Sequence, residues 1–280
     1  MANRALELLR LFTVEKPIWT AEEAAAALGV AVSSAYRIIG ELTEAGLVDA
    51  EKPGRYVLGP AITELDRQIQ LTDPLLQASR PVMDQLIAFA PAGSVVILSR
   101  AYRDKVLWAH VVVGAGQQSR FSYDRGRPLS LLRGAASKII LAFAPLRTLK
   151  RLYAAHADAV REVGLGDGWS DFLANLRAMR KTGYALARAA YDPGRFAIAA
   201  PVLDEERRPL GSLSYILEEA KADDRTVKRL AAILVAAARE VEADMRAEHL
   251  KASPPEAPPP RPSTARKRSA RKSPAGVSSA

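Results

Sequence analysis

The order of signals from Arg4 to Gly59 constrains the chain more than any other feature, because each signal ends one element where the next begins. Leu6, Leu9 and Phe12 fall on one helical stripe, widened by Leu8 and Leu11, so a first helix is expected over Arg4 to Phe12, ending before Pro17. Thr20 stands three residues ahead of Glu23, the spacing at which a hydroxyl and a carboxylate cap each other's backbone N–H groups. An alanine-rich second helix follows to Leu28 and closes at Gly29. A third helix opens at Val32 or Ser33, carries Ala35, Ile38, Ile39 and Leu42 at i, i+3, i+4 and i+7, and ends at Gly46. Leu47 to Ala50 and Arg55 to Leu58 are short strand patterns around Glu51-Lys52-Pro53-Gly54, residues that favour a turn. Together these signals describe an all-α winged helix-turn-helix over residues 1–59, the hairpin being the wing.

Such a domain presents one amphipathic helix to the major groove of duplex DNA, which is wide enough to admit it. The apolar stripe of the third helix leaves Ser33, Ser34, Tyr36, Arg37 and Glu41 outward. Ser33, Ser34, Tyr36 and Arg37 are DNA-binding candidates, since hydroxyls and a guanidinium reach phosphates and base edges, and Arg37 is the strongest of them. Lys52 and Arg55 flank the wing tip, placed for phosphate or minor-groove contacts. The charge lies elsewhere: residues 1–60 carry six Lys/Arg against eight Asp/Glu, a net −2, whereas residues 251–280 carry seven against one, +6 of the chain's +9. DNA recognition therefore has to rest on arrangement, and a winged-helix protein-interaction module is the alternative for this domain.

Beyond the wing, Ile62, Leu65 and Ile69 predict a linker helix within residues 60–74, and a further helix runs from Pro74 to Ala90. Strands are expected over Ser94 to Arg100, Val106 to Val113 and Gln118 to Tyr123. Helices follow over Gly134 to Phe143, Leu146 to Ala155 and Asp171 to Lys181, then strands over Tyr184 to Arg188, Phe196 to Leu203 and Leu210 to Leu217. A long helix closes the domain from Asp223 to His249, with Leu230, Ile233, Leu234, Ala237 and Val241 as core or dimer contacts. Strands at both ends with helices between make residues 75–250 one mixed α/β sheet domain. From Lys251 the chain is rich in Pro, Ser, Ala and Lys/Arg, which predicts a disordered tail over 251–280. Its Arg266-Lys267-Arg268 and Arg271-Lys272 read either as a solvated end or as a non-specific phosphate binder.

Several classes are disfavoured. The chain has no cysteine, and His110, His156 and His249 make no metal-ligand spacing, so neither disulfides nor a metal are expected. Gly164-Leu165-Gly166-Asp167-Gly168 lacks the strand-turn-helix setting of a dinucleotide fingerprint, no catalytic constellation can be assembled, and no cofactor is expected. The apolar stretches Lys138 to Ala144 and Leu230 to Ala238 are too short for a bilayer, and no secretory signal opens the chain. A cytoplasmic, non-enzymatic protein with no membrane partner is the expectation.

Two separated sets of motifs resemble the IclR family of bacterial transcriptional regulators, over about residues 3–250. The first is Arg4-Ala5-Leu6-Glu7-Leu8-Leu9, Ala24 to Val30, Ser33-Ser34-Ala35-Tyr36-Arg37-Ile38-Ile39, Gly46-Leu47-Val48 and Arg55 to Gly59. The second is Gly134-Ala135-Ala136-Ser137-Lys138-Ile139-Ile140-Leu141-Ala142 and Gly183-Tyr184, Asp192-Pro193-Gly194, and Ile198-Ala199-Ala200-Pro201-Val202. Val32 stands where the family often has a lysine, Leu132 where a histidine is common, and Ala189 and Ala190 where acidic residues are common.

The resemblance implies an α+β, GAF-like or profilin-like effector-binding domain, a homodimer or homotetramer, a palindromic operator, and an organic or aromatic acid as effector. Its pocket would be built from Leu132, Gly134, Ala135, Ala136, Asp192, Ala197, Ser212 and Ser214, with the amides near Ala135 and Ala136 seating a carboxylate. In that reading the acid shifts the spacing of two DNA-binding domains and so changes operator affinity. Two other classes stay open at this point: a nucleoid-type DNA-binding protein relying on its basic tail, and an enzyme using a GAF-like pocket.

Overall fold

In the computed structural model, residues 2–116 and 125–252 are described, with side chains from Arg4 to Glu248 within them. The strand expected over Gln118 to Tyr123, and the tail beyond Ala252, lie outside the described residues.

The N-terminal domain begins with α1 (Ala2–Leu9), α2 (Ala21–Leu28) and α3 (Val32–Glu44). The first helix stops three residues short of Phe12, where Arg10 and Leu11 turn their N–H groups back onto Glu7 and Leu8 and the Trp19 indole donates to the Leu11 carbonyl. Thr20 and Glu23 form the reciprocal cap expected of them, at 3.2 and 2.9 Å. Gly29 ends α2 in the left-handed region, φ +64°, so that α3 departs at 110° to α2. Leu8, Ala21, Ala24, Leu28, Ile38, Ile39, Leu42 and Val48 form the core beneath. The wing is β1 (Val48–Lys52) and β2 (Arg55–Leu58), with the turn confined to Pro53 and Gly54. Trp19 bridges Tyr56, which pins the α1–α2 loop to the wing and adds a small sheet to an otherwise helical domain.

Helix α4 (Ala61–Thr72) leads to α5 (Pro74–Phe89), whose first turn is capped by Asp73. The C-terminal sheet has the order β5-β4-β3-β8-β7-β6, from β3 (Val95–Tyr102), β4 (Lys105–Val113), β5 (Pro128–Ser130), β6 (Ala185–Arg188), β7 (Arg195–Leu203) and β8 (Pro209–Glu218). Every pairing is antiparallel. One face, with Val96, Leu98, Ile198, Leu213 and Tyr215, packs on α5 and on α9 (Asp224–Ala252). The opposite face is covered by α6 (Ala135–Ala142), α7 (Leu146–Glu162) and α8 (Trp169–Thr182). Helix α7 continues past Ala155 across a break at His156, φ −142°. No single helix among the described residues is long and apolar enough to cross a membrane.

Candidate functional site

The outer face of α3 carries Ser33, Tyr36, Arg37, Gly40 and Glu41 exposed, with Ser34 half-buried. No side chain caps its N-terminus, where the Ser34 N–H donates to the Ala31 carbonyl at 2.9 Å. Three of the polar side chains are engaged within the domain. Arg37 Nη1 pairs with Glu41 Oε1 at 2.5 Å, Tyr36 Oη donates to Glu22 Oε1 at 3.1 Å, and Arg55 lies 3.4 Å from Glu51. The bond to Glu22 holds the Tyr36 phenol above its ordinary range. Lys52 is exposed on the wing with no ion pair among the described residues. Ser33, Tyr36, Arg37, Lys52 and Arg55 are thus exposed, on α3 and at the wing tip.

The second site is a cavity of about 490 Å³, mouth included, between the sheet and the start of α6. The register puts Ile97 opposite Ser214 and Val95 opposite Ile216, so β3 and β8 supply its floor. Ser99 and Ser214 are buried there, and their hydroxyls have no hydrogen-bond partner among the described residues. Trp108 and Tyr191 form an edge-on pair with ring centres 6.2 Å apart, and Arg133 stacks on the Tyr191 ring. Tyr191 Oη donates to the Arg133 carbonyl at 2.7 Å. Gly134 caps α6 with φ +88°, and a Cβ there would meet Tyr191 Cε2 at 2.9 Å, so the ring closes over the helix start only because residue 134 is glycine. Ala135, Ala136 and Ser137, the first turn of α6, line the cavity, and no side chain caps that end.

Of the pocket residues expected from sequence, Gly134, Ala135, Ala136, Asp192, Ala197 and Ser214 meet in this cavity. Leu132 does not: it is buried in the core beside α6 and α7 and opens instead onto a separate groove with Arg151 and His156. Ser212 is also outside the lining, buried where β8 pairs with Ser99. Sequence reasoning overlooked Ser99 and Trp108, whereas Arg133, Tyr191 and Arg195 fall in the segments around 130–138 and 190–216 expected to build the pocket without being singled out there. The available signal was a polar Ser99 at an inward position of an apolar strand, two residues from Ile97.

Two ion pairs join the cavity strands to the linker. Arg100, next to Ser99, pairs with Asp73 at the α4–α5 junction. Arg125 donates to the Ala109 carbonyl, beside Trp108, and grips Asp66 of α4 with both terminal nitrogens, one at 2.7 Å.

A winged helix-turn-helix joined through a helix to an α+β domain with a cavity between its sheet and a helix start defines a one-chain DNA-binding regulator. Residues 2–52 match the IclR helix-turn-helix domain and residues 70–243 match the bacterial transcriptional regulator IclR C-terminal domain. The chain belongs to the IclR family: it is a transcriptional regulator with a helix-turn-helix DNA-binding domain and a C-terminal effector-binding domain. It is 24% identical over 227 residues to the HTH-type transcriptional regulator KipR of Bacillus subtilis, covering 79% of this chain and 88% of that protein. It shares its fold with the IclR transcriptional regulator of Alicyclobacillus acidocaldarius (TM-score 0.73, 23% identity, 87% of this chain and 98% of that one). It also shares it with an IclR homologue of Microbacterium hydrocarbonoxydans solved with 4-hydroxybenzoate (TM-score 0.66, 20% identity, 87% and 98%).

Proposed function

We propose that the chain binds a palindromic operator as a homodimer or homotetramer in the cytoplasm, and that an aromatic carboxylic acid held in the cavity changes its operator affinity without being turned over. The observation that carries this reading is the convergence, in one cavity, of an uncapped helix start, two unpartnered buried hydroxyls and a Trp–Tyr wall. Free amides at a helix start favour an anion, the aromatic pair suits a planar ring, and Ser99 and Ser214 accept or donate to its polar substituents. The 4-hydroxybenzoate bound by the Microbacterium homologue is an acid of this kind. Ser33, Ser34, Tyr36 and Arg37 would meet the groove, with Lys52 and Arg55 of the wing on the backbone.

Assembly is supported by α4, which buries no residue and leaves Leu65 and Ile69 each 50% exposed. A helix with an uncovered apolar stripe gains by packing against a second copy. In this reading residues 1–59 bind DNA, 60–74 link and dimerise, and 75–250 bind effector.

Titration of the full chain with 4-hydroxybenzoate, beside its methyl ester, tests the proposal by calorimetry and by mobility shift on a selected duplex. The acid should bind, shift DNA affinity and be recovered unchanged, whereas the ester should bind at least ~10-fold more weakly. Equal binding of acid and ester would refute the carboxylate seat.

A further inference from the structure

Gly40 lies in the middle of α3, on the exposed side opposite Ile38, Ile39 and Leu42. Glycine is the poorest helix former after proline, so an interior glycine calls for a compensating reason. The other glycines of the N-terminal domain have one within the chain. Gly29, Gly46 and Gly54 adopt left-handed φ, and a Cβ on Gly59 would sit 2.2 Å from the Gly46 carbonyl oxygen. At Gly40 the φ is not left-handed, and among the described residues no atom beyond its chain neighbours and the backbone of α3 itself lies within 4 Å of the position a Cβ would take. Alanine would fit there, and the fold gains nothing from its absence.

Among the described residues none supplies the reason, which points to a partner of this face. On the helical wheel Gly40 shares its face with Ser33, two turns earlier, and Arg37, one turn earlier. The family match identifies this domain as a DNA-binding helix-turn-helix, so the partner on that face is duplex DNA. Arg37 and Arg55 each pair with an exposed carboxylate, Lys52 has no ion pair among the described residues, and residues 1–60 carry a net charge of −2, so it is the small number of cations that limits how much attraction to phosphates can contribute. Close fit has to supply the remainder.

We infer that Gly40 is a close-approach point, at which the backbone of α3 itself rests against the DNA and sets how deep the helix sits in the groove. Ser33 and Arg37 then reach base edges from a helix lying nearer the groove floor than one with a side chain at residue 40 would allow. A Cβ would lift the helix and weaken each of those contacts together.

The test uses the full-length protein and a duplex that it selects from a randomised library. Gly40→Ala should raise the melting temperature by ~2–4 °C, since it removes a helix-weakening residue. The same variant should bind the selected duplex at least ~10-fold more weakly, with Gly40→Leu weaker still. The slope of affinity against salt should stay unchanged, because no phosphate-pairing charge is lost. A gain in stability with unchanged DNA affinity would overturn the inference. So would a loss of affinity accompanied by dissociation into monomers in sedimentation, which would place Gly40 at a protein contact. A wild-type protein that retains no duplex would remove the DNA-binding reading along with it, an outcome visible before any variant is made.

Discussion

In the N-terminal domain three of the side chains proposed to meet a partner are exposed and already engaged: Arg37 with Glu41, Tyr36 with Glu22, Arg55 with Glu51. In the cavity the situation is reversed, with Ser99 and Ser214 buried and their hydroxyls unpartnered. Exposed ion pairs are held by about 0.2–1 kcal/mol, so the reading surface can exchange Glu41 for a base or phosphate at small cost. A buried hydroxyl without a hydrogen-bond partner costs about 1–3 kcal/mol, so a ligand that bonds Ser99 and Ser214 would gain by relieving that cost. The two regions thus favour partners by different routes, exchange in one and relief of a desolvation cost in the other.

The largest effect that sharpens this contrast is on the DNA side. Arg37→Ala should weaken binding to a selected duplex by ~1–3 kcal/mol, because it removes the strongest candidate for a base contact. Glu41→Gln should do the reverse on a smaller scale, by a few tenths of a kcal/mol, as it frees Arg37 from an exposed i, i+4 pair. Mobility-shift titrations of both variants decide the matter: if Glu41→Gln weakens binding as much as Arg37→Ala, the pair acts as a unit on DNA and the exchange picture fails.

How much of each region could be read from sequence follows the same divide. The Thr20–Glu23 cap, the glycine end of α2 and the 3.6-residue stripe of α3 are local, each decided within a few residues, and they were legible. What joins distant residues was not. The Trp19–Tyr56 bridge, the three-residue strand β5 and the break at His156 leave little periodic trace. The cavity depends on β3 lying beside β8, which brings Ser99 and Ser214 together from 115 positions apart, and on Tyr191 folding over Gly134. The helix start Gly134-Ala135-Ala136 was found because small residues at an N-terminus carry a local meaning, whereas Leu132, two residues earlier, turns into the core.

The next effect concerns those hydroxyls. Ser99→Ala and Ser214→Ala should each stabilise the ligand-free protein by about 1 kcal/mol, an outcome rare for buried substitutions, since each deletes a polar group with no partner. Each should also weaken 4-hydroxybenzoate binding in calorimetry, while Ser79→Ala, a buried unpartnered hydroxyl on α5 outside the cavity, should stabilise without touching ligand affinity. Destabilisation of the free protein by either cavity variant, measured by denaturant unfolding, would show that the hydroxyl is satisfied and break the contrast.

The smallest effect falls between the two regions, at His110 on β4, beside the Arg125–Asp66 tie to the linker. Burial lowers its pKa below the ordinary imidazole value, Arg80 and Arg125 lower it further, and Asp84 opposes them. The folded protein therefore holds this proton less tightly than the unfolded chain. Stability from His110 is fully present above the ordinary imidazole pKa and is lost as pH falls from there through the depressed folded value. Urea midpoints at pH 7.5 and 5.5 should show a decline in the wild type that is smaller in His110→Gln. Because the charge would arise next to Arg125, acid should also loosen the grip on Asp66, and hydrogen exchange in α4 should quicken at pH 5.5 in the wild type more than in the variant. Equal declines in both proteins would mean that other groups carry the pH dependence and that this link between cavity strands and linker is insensitive to protonation.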